Sequence, residues 1–168
     1  MVDFVSRSNF HSKLDLSKIS DFSLGPLYWN NTKLILNVEP SNILNAGNGI
    51  FTYQPINKET LIGYYDGVLK KDNGKCVGDY SFSLNKTWYV DARTFPRAYI
   101  AMINDAHGSK FKNNCEFRLE LEDPITGKRR KACDRKITLW ALCDIKSGEE
   151  LFADYGTDYW KCDRSHPY

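Results

Sequence analysis

The chain has 168 residues, 42% of them hydrophobic, and a formal net charge of +2. That is about one domain in length, enough to bury a core, and the composition excludes a disordered chain. So even a balance of charge gives no case for a nucleic-acid binder, and no apolar run approaches the ~20 residues that cross a bilayer.

The amino terminus carries no signal-like apolar stretch, and the five cysteines, Cys76, Cys115, Cys133, Cys143 and Cys162, include no Cys-x-x-Cys pair. An odd, scattered set favours free thiols in a reducing compartment and lends a zinc site little support. The expectation is a soluble intracellular protein with no metal.

Residues 1–32 are polar and mixed, broken by Gly25-Pro26 and Asn30-Asn31, and read as an extension with one short helix near Ser12 to Ile19. From Lys33 to about residue 160 strand follows strand, leaving 161–168 as a tail. Leu34 to Val38 is apolar and β-branched, and Gly49 to Tyr53 follows a glycine turn. Thr60 to Tyr65 leads through Asp66-Gly67 into Val68-Leu69, and Tyr80 to Leu84 turns at Asn85-Lys86 into Trp88 to Asp91. Arg97 to Ile103 is the main helical candidate, with Pro96 at a permissible helix start. Asp105 to Asn114 is polar and reads as a loop. Phe117 to Leu121 and Ile137 to Leu142 read as hairpin strands around the basic run Lys128-Arg129-Arg130-Lys131, which caps a solvated hairpin or meets an acidic partner. Short aromatic-rich strands with frequent turns define a mostly β domain.

Five strings stand out against this background. They are Ala46-Gly47-Asn48-Gly49, Ile62-Gly63-Tyr64-Tyr65-Asp66-Gly67, Asp79-Tyr80-Ser81-Phe82, Ile103-Asn104-Asp105 running on to Asn113-Asn114-Cys115, and Gly148-Glu149-Glu150-Leu151-Phe152-Ala153-Asp154-Tyr155-Gly156 with Trp160 beyond it. Taken singly, the Gly-x-Gly is a hairpin turn, Tyr155 is a core aromatic, and Glu149 and Glu150 are turn and strand-edge charges that fix the last motif.

In this order and spacing, over about residues 33 to 160, the strings resemble the motifs of the SET-domain protein lysine methyltransferases. The resemblance implies a mostly β SET (β-clip) fold, with small curved sheets, a few short helices and a threaded carboxy-terminal segment. It implies transfer of a methyl group from S-adenosylmethionine to a protein lysine. A lysine amine must lose its proton before it attacks, although its solution pKa is about 10.4, so the site must bury it. A narrow aromatic channel does so, and its ring faces favour the sulfonium and the methylammonium.

By the same resemblance Tyr155 and Tyr65 are catalytic, and Ala46, Gly47, Asn48, Tyr80, Asn104, Asp105 and Trp160 hold the cofactor. Histidine is usual where this chain has Asp105, and the loop that follows is lengthened. The lysine channel is formed by Tyr65, Phe117, Ala153, Tyr155 and Tyr159. Relatives place Phe or Tyr where this chain has Ala153, and Phe117 supplies the missing ring, an arrangement that leans toward addition of more than one methyl group. The expected partner is a protein bound as an extended peptide, histone H3 being the commonest substrate class of relatives, with nucleic acid involved only through chromatin and no membrane. The metal-binding attachments of many relatives are not in the sequence, which is similar to compact, free-standing SET proteins of large DNA viruses. The implied location is a nucleus, or a host nucleus or cytoplasm for a viral protein. Three other readings stand beside this one: a SET-like interaction module without turnover, a methyltransferase of a non-histone protein, and a β domain that binds nucleic acid through Lys128 to Lys131.

Overall fold

The computed structural model describes residues 28–29, 33–72, 78–94 and 97–161. The short helix expected near Ser12 to Ile19, together with Cys76, Pro96 and Cys162, lies outside the described residues. Among the described residues eleven short strands run in chain order: β1 (Tyr28–Trp29), β2 (Leu36–Pro40), β3 (Asn48–Thr52), β4 (Leu61–Tyr64), β5 (Val68–Lys71), β6 (Ser81–Ser83), β7 (Trp88–Asp91), β8 (Arg97–Ala98), β9 (Cys115–Glu120), β10 (Lys136–Ala141) and β11 (Glu150–Leu151). One short helix, α1 (Thr157–Lys161), follows. The mostly β architecture expected from the sequence is therefore what the chain adopts.

The strands form small sheets in the orders β11-β3-β2, β4-β10-β9 and β5-β7-β6, with β1 and β8 as a parallel pair. β10 lies between two neighbours, and Ile137, Thr138 and Leu139 are buried in succession rather than alternately, so both faces of the strand are covered there. The hydroxyl of Thr138 donates to the carbonyl of Arg118 at 3.0 Å and accepts the indole N–H of Trp140 at 2.9 Å, so its burial leaves nothing unpaired. Ile50, Ile56, Ile62, Ile100, Ile137, Leu139, Ile145 and Leu151 are the large, fully buried aliphatic side chains among the described residues, and they join the sheets into one core. Each contributes about 1.5–3 kcal/mol by leaving water.

The basic run caps a hairpin, as the turn chemistry predicts. Glu122 bridges Arg129 across it, Gly127 turns it at φ 64°, and Arg130 pairs with Asp123 at 3.1 Å.

The helix expected over Arg97 to Ile103 is not there. Arg97–Ala98 is strand β8, and Tyr99–Met102 is a single 3-10 turn. The segment is too short to sustain an α-helix alone, and Ile100, Ala101 and Met102 are all buried, leaving no exposed face of the kind an amphipathic helix needs. The strand after Gly148 is short. Only Glu150–Leu151 pairs with β3, as Glu150 with Phe51 and Leu151 with Ile50. Phe152 and Ala153 then make isolated parallel bridges to Asn104 and Cys115. The last segment thus passes between Asn104 and Asn114–Cys115, the two ends of the 105–114 loop, and is held from both. Ala153 N–H donates to the Asn104 carbonyl at 2.9 Å, and Cys115 N–H donates to the Phe152 carbonyl at 2.9 Å. The Asn114 side chain completes the clasp, giving its Nδ2–H to the Glu150 carbonyl at 2.9 Å and accepting the Phe152 N–H at 2.8 Å.

Candidate active site

Glu149 and Glu150 are adjacent but do different work. Glu149 stays on the surface and accepts the Lys146 N–H across the turn at 2.9 Å. Glu150 is 3% exposed. Its Oε2 accepts the Asn42 N–H at 2.7 Å, and its Oε1 accepts the Ser41 hydroxyl at 2.7 Å and the Asn104 amide at 3.4 Å. One buried carboxylate thereby fixes the loop that precedes β3 and also Asn104. Gly49 makes room for it, since a Cβ there would stand 2.0 Å from Glu150 Oε1. Gly47, at φ 71°, turns the loop with nothing within 4 Å of where its Cβ would be, so the backbone of Ala46, Gly47 and Asn48 is left open to a ligand.

Asn104 gives a second Nδ2 hydrogen bond to the Asn48 carbonyl at 3.0 Å, joining the glycine loop to the threaded segment. Beyond that segment Tyr155 points back inward, and its hydroxyl donates to the Ile103 carbonyl at 2.5 Å. Tyr155 meets Tyr159 edge-on at 4.5 Å between ring centroids and lies near-parallel to Trp160 at 6.2 Å. A second group of rings faces them: Tyr65 with Phe117 at 5.9 Å, Phe82 with Phe117 at 5.1 Å, and Tyr65 with Phe82 at 5.8 Å. The Tyr80 ring is backed by the Arg97 guanidinium at 3.7 Å.

These parts wall one cavity of about 570 Å³, within the range of small-molecule and cofactor pockets. Of the residues named from the sequence, Ala46, Gly47, Asn48, Tyr65, Tyr80, Asn104, Asp105, Phe117, Tyr155, Tyr159 and Trp160 all line it. Ala153 does not. It is 0% exposed and lies behind the wall, because its backbone is committed to Asn104 and Cys115 on either side.

Three features escaped the sequence reading. Phe82 lines the cavity two residues after Tyr80, with Ser81 between them in the wall as well, so no alternation marks it. His107, stacked on Trp160 at 4.7 Å, and the clasp made by Asn114 depend on contacts across the fold that no local pattern announces.

Burial raises the phenol pKa of both Tyr155 and Tyr65 well above the ordinary value, and for Tyr155 the neighbouring phenols of Tyr159 and Tyr65 add to it. Both are neutral hydroxyls near neutral pH, suited to hydrogen bonding and not to taking up a proton. Asp105 behaves oppositely. Burial alone would raise its pKa, but hydrogen bonds from Tyr155, Asn113, Trp160 and His107 hold it below the usual carboxylate range.

Asp91, 2% exposed beside the wall that carries Tyr80, is likewise held low, chiefly by hydrogen bonds from Arg93 and then, against burial, from Lys70. Groups with depressed folded-state pKa values contribute stability above their unfolded pKa, and that stability is lost as pH falls through the folded value. The urea midpoint should therefore stay level from about pH 7 to 5 and fall continuously below about pH 4. A midpoint that rises on acidification below that point contradicts the assignment.

The cavity suits S-adenosylmethionine on grounds internal to the structure. The open backbone cradle at Ala46 to Asn48 would hold a chain-like polar group, and the ring faces would favour a sulfonium. The Ser81 hydroxyl, in a residue of the wall, is buried without a hydrogen-bond partner among the described residues.

Small sheets around a threaded segment, with a glycine loop, an Asn–Asp step and a terminal tyrosine on one cavity, define a SET-type fold. The chain belongs to the SET-domain family, whose sequence profile matches residues 47–156. The family is one of S-adenosylmethionine-dependent lysine methyltransferases. Among solved structures the chain is similar to KRYPTONITE in complex with mCHG DNA and SAH, at 19% identity and a TM-score of 0.57 over 74% of this chain. It matches KRYPTONITE in complex with mCHH DNA, H3(1-15) peptide and SAH to the same degree. The chain spans about a quarter (24%) of those chains, and the likeness establishes the fold. No curated protein matches the chain.

Proposed function

We propose that the protein is an S-adenosylmethionine-dependent protein lysine N-methyltransferase. One observation carries the reading: the backbone cradle and the two groups of rings, drawn from segments far apart in the chain, line one cavity. When bound, the sulfonium supplies an activated methyl group; the amine nitrogen forms the new C–N bond as the C–S bond breaks and the electron pair returns to sulfur.

The residues of the chain do the rest by placement. Tyr65, Phe82 and Phe117 desolvate the lysine side chain and favour the neutral amine, whose proton leaves to solvent before the transfer. The Tyr155 hydroxyl commits its proton to Ile103 and keeps oxygen lone pairs for C–H···O contacts with the moving methyl. Asn104 and the loop at Ala46 to Asn48 hold the donor, with Tyr80, Asp105 and Trp160 on its other sides. No step calls for a metal. With Ala153 behind the wall, the channel beside Tyr65 is bounded by Phe82 and Phe117, which carry no hydroxyl to fix a water. That favours more than one round of methylation.

The substrate is a protein segment bound in extended form, with histone H3 the first candidate and a non-histone protein the second. Such a substrate puts the enzyme in a nucleus, or in a host nucleus or cytoplasm if the chain is viral. The test is radiolabelled methyl transfer to core histones and to a cell lysate, read by mass spectrometry. Methyl-lysine on a defined protein supports the reading. Donor binding without transfer to any protein favours the inert interaction module instead.

A further inference from the structure

Asp105 differs from the family's usual residue, and its surroundings give it a definite job. The carboxylate is 7% exposed and accepts four hydrogen bonds, the full capacity of its two oxygens. Oδ2 takes the Tyr155 N–H at 2.9 Å and the indole N–H of Trp160 at 3.0 Å. Oδ1 takes the His107 N–H at 2.9 Å and the Asn113 amide at 3.0 Å. Asn113 in turn accepts the Ala106 N–H at 2.9 Å, so the start of the loop is closed around the acid.

Trp160 needs such an anchor. It stands on a five-residue helix that buries none of its residues, and a helix that short has little stability alone. Trp160 as a whole is 43% exposed, yet its ring lines the cavity, stacks on His107 and lies near-parallel to Tyr155. We propose that Asp105 is a positioning residue that fastens Trp160 over the cofactor end of the cavity and fixes the backbone of Tyr155, so that donor capture and tyrosine alignment depend on one carboxylate. The inference rests on the methyltransferase reading. Asparagine in this place presents an NH₂ group to donors that need an acceptor, so an isosteric change is a sharp probe.

The experiment measures S-adenosylhomocysteine affinity by calorimetry for the wild type, Asp105→Asn, Trp160→Phe and the double variant. Emission of Trp160 in the ligand-free protein is taken as the difference between spectra with and without Trp160→Phe. Asp105→Asn should weaken binding about tenfold or more, the scale of one charge-assisted hydrogen bond, and should shift the Trp160 emission. In the Trp160→Phe background the same change should cost no more than about threefold, since a residue acting through the indole has lost its route. At saturating donor, kcat should remain lowered because Tyr155 has lost its anchor. Wild-type affinity in Asp105→Asn, or equal losses in both backgrounds, overturns the proposal. Should Asp105→Asn fail to fold, Trp160→Phe decides alone: it keeps a ring and removes the indole donor, so a tenfold loss supports the proposal and unchanged affinity overturns it. A wild type that binds no S-adenosylhomocysteine defeats the methyltransferase reading as well, whereas a wild type that binds and methylates, matched by Asp105→Asn, defeats this inference alone.

Discussion

Tyr155→Phe should lower methyl transfer about 100-fold while leaving a folded protein. The direct C–H···O contact that the hydroxyl offers is worth about 0.5–1 kcal/mol, a factor of only about 2–5 in rate. The larger part comes from position. The hydroxyl ties the ring to the Ile103 carbonyl at 2.5 Å, and a ring freed to move by about 1 Å costs a reaction of this kind about 10²-fold. The fold should survive, because the lost hydrogen bond and the carbonyl it leaves behind cost about 1–3 kcal/mol. Single-turnover transfer with a lysine peptide, paired with a thermal melt, checks both halves. Full activity in the variant removes Tyr155 from the site.

Glu150→Gln should have the largest effect on both stability and donor binding. The acid accepts from Ser41, Asn42 and Asn104 while almost wholly buried. Glutamine keeps one oxygen and turns an NH₂ group on a donor. Rotating the Ser41 hydroxyl does not relieve the clash at no cost, because Ser41 Oγ also accepts the Ile43 N–H at 3.1 Å. The change should destabilise the protein by about 2–4 kcal/mol, read as a lower urea midpoint with an unchanged slope. It should also weaken S-adenosylhomocysteine tenfold or more, as both the glycine loop and Asn104 lose their tether. Glu149→Gln, on the surface one residue earlier, should change neither by much. Equal behaviour of the two variants would contradict the roles assigned to them.

The contrast between these two glutamates marks how far the sequence could be read. Their chemistry is identical and their positions differ by one, and no alternation separates them, since Glu149 lies outside the strand and Glu150 and Leu151 are buried in succession; nothing local says what the buried one will meet. The partners of Glu150 lie more than a hundred residues away for Ser41 and Asn42. The strand pattern, the hairpin around Lys128 to Lys131 and part of the cavity wall were legible because turn residues and ordered motifs mark them. The helix expected at Arg97 to Ile103 failed because an apolar stretch of that length reads the same whether it coils or lies buried as a strand and a 3-10 turn. Ala153 was placed on the channel by its distance from Tyr155 along the chain, whereas the threaded backbone there bonds on both sides and turns the methyl group into the core. Asp105 looked like a defect in a motif and is the acceptor for four donors, a property of the folded loop and not of the string Ile103-Asn104-Asp105.

A structure determined with S-adenosylhomocysteine and a lysine-containing peptide tests the central claim most directly. The thioether sulfur should sit at the inner end of a channel walled by Tyr65, Phe117 and Tyr155, with the lysine nitrogen entering from the other end and the amino-acid part of the ligand against Ala46 to Asn48. A ligand bound elsewhere on the protein, or a lysine side chain that does not enter between those rings, would contradict it.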